Sequence, residues 1–155
     1  MYRKGISALI VNEKNEFLLV NLISFEEKYY AIPGGGLEEG ETLEKTSYRE
    51  INEELGIEEE YLDLVGISSN PIKYNFIVPK IKEGKKYIGS ERHFFAFRFN
   101  GSDEDIKLAQ DEVRAYKWVH LSDLNKYLLF ESQLDDTIEK IKELFGNNFS
   151  HEKIQ

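Results

Sequence analysis

The chain contains no cysteine. That excludes disulfides, thiolate zinc sites and a thiol nucleophile, and it fits a reducing cytoplasm. Long apolar runs are also missing. The opening "MYRKGISALIVNEKNE" is too short in its apolar stretch for a signal peptide or a membrane span, so a cytoplasmic protein with no membrane partner is expected. Cations are scarce relative to acids: 20 Lys and Arg stand against 29 Asp and Glu, a net charge of −9. Such a chain repels long nucleic acid and anionic membranes, so a phosphate-rich ligand would need local cations or metal ions. The three histidines, His93, His120 and His151, lack metal-ligand spacing. There is no internal repeat and no long low-complexity segment.

What is present suits one α/β domain. Hydrophobic residues make up 41 % of the 155 positions, enough for a single core. Strands are expected at residues 6–11, 17–22, 29–33, 61–69, 73–78, 93–99 and 113–119, all rich in β-branched or aromatic residues. A short helix is expected at 122–128, capped by Ser122 or Asp123. Leu134, Ile138, Ile141 and Leu144 recur at helical spacing and predict an amphipathic helix against the sheet. The domain is expected over 1–146, followed by a polar, frayed tail at 147–155. Trp118, Phe94 and Phe95 read as core.

Residues 35–57, "GGLEEGETLEKTSYREINEELGI", concentrate seven glutamates. A helix from about Thr42 to a left-handed cap at Gly56 buries Leu43, Ser47, Ile51 and Leu55, with Ile57 folding back on Ile51. Glu50, Glu53 and Glu54 leave from an adjoining arc. Glu54 falls at the edge of the buried stripe, where a carboxylate is costly unless paired, protonated or metal-bound. Arg49 alone cannot neutralise three acids. Two readings fit: a solvated acidic helix face, or a site for a hard divalent cation such as magnesium.

The same residues resemble the signature of the Nudix hydrolases. Gly35, Glu41, Arg49, Glu50, Ile51, Glu53, Glu54, Gly56 and Ile57 fill its defined positions, and "IPGGG" resembles its usual lead-in. The resemblance implies an α/β/α sandwich with a mixed sheet, and magnesium or manganese as cofactor. It also implies cleavage of a nucleoside diphosphate linked to another group. It places Glu50, Glu53 and Glu54 at the metal, Arg49 and Glu41 as the pair fixing loop to helix, and Gly34 and Gly35 beside metal and phosphate. Glu50, Glu53 or a loop carboxylate would take the water's proton.

Outside this box, "YNFIVPKIKEGKKYIGSERHFFAFRFNG" and "DEVRAYKWVHLSDL" resemble the branch that hydrolyses dinucleoside polyphosphates or removes pyrophosphate from RNA 5′ ends. There Arg3 matches a phosphate-binding arginine and Glu112 a metal-site glutamate; Tyr74 lies near a tyrosine of the diadenosine-tetraphosphate hydrolases. Plainer readings stand beside these: Arg3 as a solvated terminus, Tyr74 as packing, Glu112 as part of an acidic loop. His93 could line the pocket, and Lys82, Lys85 and Lys86 could meet a polyphosphate or only protect a sheet edge. The "PGGG" lead-in, where the branch has Pro-Gln-Gly-Gly, is closer to ADP-ribose pyrophosphatases, and Pro71 is near their proline. The substrate expected first is therefore a small nucleotide, a dinucleoside polyphosphate. ADP-ribose or a nucleotide sugar follows, then a nucleoside triphosphate or an RNA 5′ end. A non-catalytic nucleotide sensor is the rival from another class. The oligomeric state is open.

Overall fold

The computed structural model describes residues 1–146. Seven strands form one mixed sheet: β1 (Tyr2–Val11), β2 (Glu16–Leu22), β3 (Gly34–Gly36), β4 (Leu62–Ile67), β5 (Ile72–Lys82), β6 (Lys85–Phe99) and β7 (Val113–His120). The main order is β4-β6-β1-β2-β7, with β3 beside β1 and β5 beside β6. Only β1 and β6 run parallel; the other pairings are antiparallel. Helix α1 (Leu43–Leu55) follows β3, and α2 (Gln133–Phe145) closes the described chain.

Strand alternation divides the core into two layers. On β1, Ile6, Ala8 and Ile10 join Ile51 and Leu55 of α1 together with Phe95 and Phe97 of β6. Leu9 and Val11 face the other way, toward Ile141 and Phe145 of α2, with Phe94 and Ala96. Both sheet faces are thus covered by a helix, which is why the second half of β1 (residues 6–11) and residues 94–97 of β6 read as nearly continuous apolar runs. The architecture is the expected α/β/α sandwich. Leu134, Ile138 and Leu144 pack with Ile141 on this second layer, as their spacing predicts.

Three local expectations are corrected. Residues 29–33 do not form a strand; Ala31 makes only an isolated bridge to Val20. The strand lies in the glycines instead, where Gly34, Gly35 and Gly36 pair with Ser7, Ile6 and Gly5. Bare backbone is needed there, because a Cβ on Gly34 would strike the Ile6 carbonyl. The short helix is a 3-10 turn, Leu121–Lys126, without a side-chain cap. Ser122 Oγ instead meets His120 Nδ1 at 3.1 Å, and Asp123 pairs with Lys126. Strand β6 begins at Lys85 rather than 93, since the two-residue turn at Glu83 and Gly84, both at positive φ, closes a long hairpin with β5. Trp118 is partly buried, stacked on Phe99 at 5.6 Å. No helix among the described residues is long and apolar enough to cross a membrane. The tail at 147–155 lies outside the described residues.

Candidate active site

Helix α1 starts where Thr42 Oγ1 accepts the Lys45 N–H at 3.2 Å, and it stops at Gly56, φ 66°. Gly56 N–H donates to Asn52 O, and the buried Ile57 joins Ile51 in the core. Both boundaries therefore follow from single residues with the right chemistry.

Arg49 is the hub of the site. Its Nε donates to Glu41 Oε2 at 2.6 Å and its Nη2 to Glu41 Oε1 at 2.9 Å, a two-pronged carboxylate contact. The same Nη2 reaches the Gly36 carbonyl at 2.8 Å, tying strand β3 to the helix. Nη1 donates to Glu50 Oε1 at 2.9 Å and Glu53 Oε2 at 3.2 Å. Glu41 also accepts from Thr46 Oγ1 and the Glu38 N–H. The Arg49 hydrogen bonds hold the Glu41 carboxyl down at about 2. Glu41 in turn raises Arg49 above its usual value, against the penalty of burial.

Glu54 has no such partner. It is only 7 % exposed, and among the described residues its side chain accepts one hydrogen bond, from Gly34 N–H to Oε1 at 3.1 Å. Burial first, then the neighbouring Glu50 charge, pushes its carboxyl up to about 8. Glu50 is likewise raised by burial, with Arg49 opposing the shift. Its carboxylate lies against Gly35 so closely that a Cβ there would collide with both oxygens. Glu53 is half-exposed. Glu112 is exposed, in the turn before β7, and its charge is felt at Glu54.

Arg92 on β6 completes the centre and was missed by the sequence reading. Its Nη1 donates to the Ile6 carbonyl at 2.7 Å and its Nε to Ser90 Oγ at 3.1 Å. Burial lowers its pKa, while Glu54 pulls the other way. A cavity of about 690 Å³ opens here, lined by Gly34, Glu54, Arg92, Tyr74, Phe25 and Phe130 among others. Tyr74 is raised to about 12 by burial and then by Asp136, so it stays a hydroxyl donor. Arg3 lies on the other side of Arg92, its guanidinium where a Cβ of Gly36 would stand. His93 does not line this cavity; it points from the opposite face of β6 and pairs with Glu91 at 3.0 Å. The signal for Arg92 was alternation: once β6 includes residues 90–94, Ser90, Arg92 and Phe94 share a face.

The donor set suits magnesium or manganese, since Glu50, Glu53, Glu54 and Glu112 offer only hard oxygens and Glu54 is buried without a cation of its own. Among the described residues no three acidic or histidine groups converge on one point as they stand. Arg49 holds one oxygen each of Glu50 and Glu53.

Comparison with known proteins gives the family. The NUDIX domain family model matches residues 1–141. The chain is 30 % identical over 133 residues to an RNA pyrophosphohydrolase of Sphingopyxis alaskensis, covering 83 % of this chain and 84 % of that one. It is 30 % identical over 153 residues to an RNA pyrophosphohydrolase of Pelagibacter ubique, covering 93 % and 94 %. The fold is similar to an Ap4A hydrolase of C. elegans in a binary complex, with TM-score 0.70 at 22 % identity over 93 % of this chain and 98 % of that one. It is also similar to the dihydroneopterin triphosphate pyrophosphohydrolase of E. coli, with TM-score 0.71 at 17 % identity over 92 % and 99 %. The chain belongs to the Nudix family. Within that family it is a pyrophosphohydrolase enzyme.

Proposed function

We propose that the protein is a magnesium-dependent hydrolase of a phosphoanhydride in a nucleoside diphosphate-linked substrate, with a dinucleoside polyphosphate as first choice. The observation that carries this reading is the buried Glu54, seated on Gly34 in the wall of a nucleotide-sized cavity that Arg92 and Tyr74 also line. Glu50, Glu53, Glu54 and Glu112 would hold magnesium or manganese. When bound, such ions polarise the phosphate and lower the pKa of water.

The chain's own groups supply the rest. Gly34 and Gly35 lack the Cβ that would keep a phosphate off the backbone. Arg92 presents a desolvated guanidinium to developing phosphate charge. Arg49 fixes Glu50 and Glu53 while Glu41 fixes Arg49. Glu53, Glu50 or the loop carboxylate Glu112 would take the attacking water's proton. Apolar and aromatic walls receive the base. We place the enzyme in the cytoplasm.

A second reading is removal of pyrophosphate from an RNA 5′ end, favoured by the names of the Sphingopyxis and Pelagibacter relatives and opposed by the net charge of −9. The test is a hydrolysis panel with magnesium: diadenosine tetraphosphate, ADP-ribose, nucleoside triphosphates and a 5′-triphosphorylated RNA, with Glu54→Gln alongside. Preferential cleavage of the tetraphosphate, lost in the variant, supports the first choice. Preference for another member replaces it. No metal-dependent cleavage of any of them contradicts the proposed substrate class.

A further inference from the structure

Among the described residues, one buried side-chain oxygen or nitrogen has no hydrogen-bond partner: Oε1 of Gln133. A buried acceptor that has given up water without a replacement is costly, so folded proteins keep few of them and each calls for a reason. Gln133 is the first residue of α2 and lines the cavity that holds Glu54, with the buried Thr137 one turn further along the same helix face. Polar groups at the glycine-strand end of that cavity are already engaged. Glu54 accepts from Gly34, and Arg92 donates to the Ile6 carbonyl and to Ser90. An apolar side chain of the same length at Gln133 would leave no oxygen unpaired.

The local chain fixes where this amide stands. The Gln133 N–H donates to the Phe130 carbonyl at 3.1 Å, so the amide and the Phe130 ring reach the cavity wall from one turn. Phe130 is itself stacked on Tyr29, with 4.5 Å between ring centres. As a residue Gln133 is only partly buried, and its terminal torsion is soft. Turning the amide about that bond brings the oxygen, the NH2 group or both to the cavity without moving the helix.

Charge decides what can approach. Glu131 lines the same end of the cavity, and the Asp136 carboxylate is close enough to act on the Tyr74 hydroxyl. Phosphates are repelled here, which leaves this end to the uncharged part of a nucleotide. Acceptors on the wall require donors on the ligand, and an exocyclic amino group is such a donor. A carboxamide meets an adenine edge with two bonds, accepting from the 6-amino group and donating to a neighbouring ring nitrogen.

We propose that Gln133 is a specificity-determining residue, whose carboxamide reads the amino-bearing edge of an adenine while the phosphates lie at the Gly34–Arg92 end. The inference rests on the nucleotide reading above and narrows it to the base.

The test is calorimetric titration, in magnesium buffer, with three nucleoside monophosphates. Adenosine 5′-monophosphate is compared with purine riboside 5′-monophosphate, which lacks only the 6-amino group, and with inosine 5′-monophosphate, which carries a carbonyl there. None contains an anhydride, so no turnover intervenes. Wild type is expected to bind the adenosine nucleotide about tenfold more tightly than the other two, the scale of a buried acceptor left unpaired. Gln133→Met, close in length and shape, should bind all three alike. Without ligand it should melt no lower than wild type, because it buries no unpaired acceptor. A lower melting temperature would mean that the amide is bonded within the fold, which overturns the proposal. So does equal binding of the three by wild type, a preference for the inosine nucleotide, a preference that survives in Gln133→Met, or no saturable binding of adenosine monophosphate. The hydrolysis panel decides the proposed function separately: cleavage of diadenosine tetraphosphate without this base preference keeps that function and removes Gln133 from recognition.

Discussion

Glu41 and Glu54 flank the same strand of three glycines, and their carboxyls are driven in opposite directions. Glu41 lies at the end of the loop before α1, gripped by Arg49, Thr46 and a backbone N–H, and sits at about 2. Glu54 lies in the last turn of α1, accepts one backbone N–H, and sits at about 8. The protein itself has finished the environment of the first. It has buried the second beside another carboxylate and supplied no paired cation. A group of the first kind is a fastener. A group of the second kind is costly to the fold and is retained for something outside it, which here is the proposed metal.

The widest expected separation is in catalysis. Glu54→Gln should lower kcat/KM by at least about a thousandfold, the scale of a lost charge-stabilising group. Metal-free, it should melt no lower than wild type at neutral pH, because a neutral amide escapes the stability cost of a carboxyl held at about 8 against its usual 4.5. Steady-state rates and calorimetry together check this, and near-normal turnover would remove Glu54 from the site.

Gly35→Ala is the next strongest test. Its Cβ would displace the Glu50 carboxylate, so activity should fall about a hundredfold, as displacements near 1 Å do, with a modest change in Tm.

Glu41→Gln should act through stability, at about 1–2 kcal/mol by urea unfolding, since it gives up a charge-assisted two-pronged contact. Its pH dependence has a definite sign. The folded carboxyl at about 2 lies below its usual 4.5, so its stabilisation is complete above about pH 4.5 and is lost as pH falls toward 2. The gap in Tm between wild type and Glu41→Gln should therefore narrow on acidification. A gap that stays constant from pH 7 to pH 2.5 would mean that the contact is not what stabilises.

The smallest effect is expected far from the site. Hydrogen bonding from the Ser69 N–H, then from the buried Lys140, holds Glu143 below its usual value. Glu143→Gln should cost a few degrees of Tm at neutral pH, with less difference in acid, and leave turnover unchanged.

The helix and its two ends were legible because single residues dictate them: Thr42 caps one end, Gly56 the other, and the Leu43–Ile51–Leu55 stripe fixes which side is buried. The burial of Glu54 followed from the same wheel. The glycine strand was not legible, since strand signals are side-chain signals and Gly34–Gly36 has none; what makes it a strand is the open edge of β1. Nor was the length of β6. Its first half is polar although it pairs with both β5 and the start of β1, and Arg92 hid in that half. The register that brings Arg92 to Ile6 is a property of the strand pairing alone.

The central claim is that Glu54 is buried for a cation. Its most direct test is the melting temperature of metal-free protein titrated with magnesium, wild type beside Glu54→Gln. A saturable rise in Tm for wild type, absent or much reduced in the variant, is the predicted result. An equal rise in both, or none in wild type, would contradict the claim.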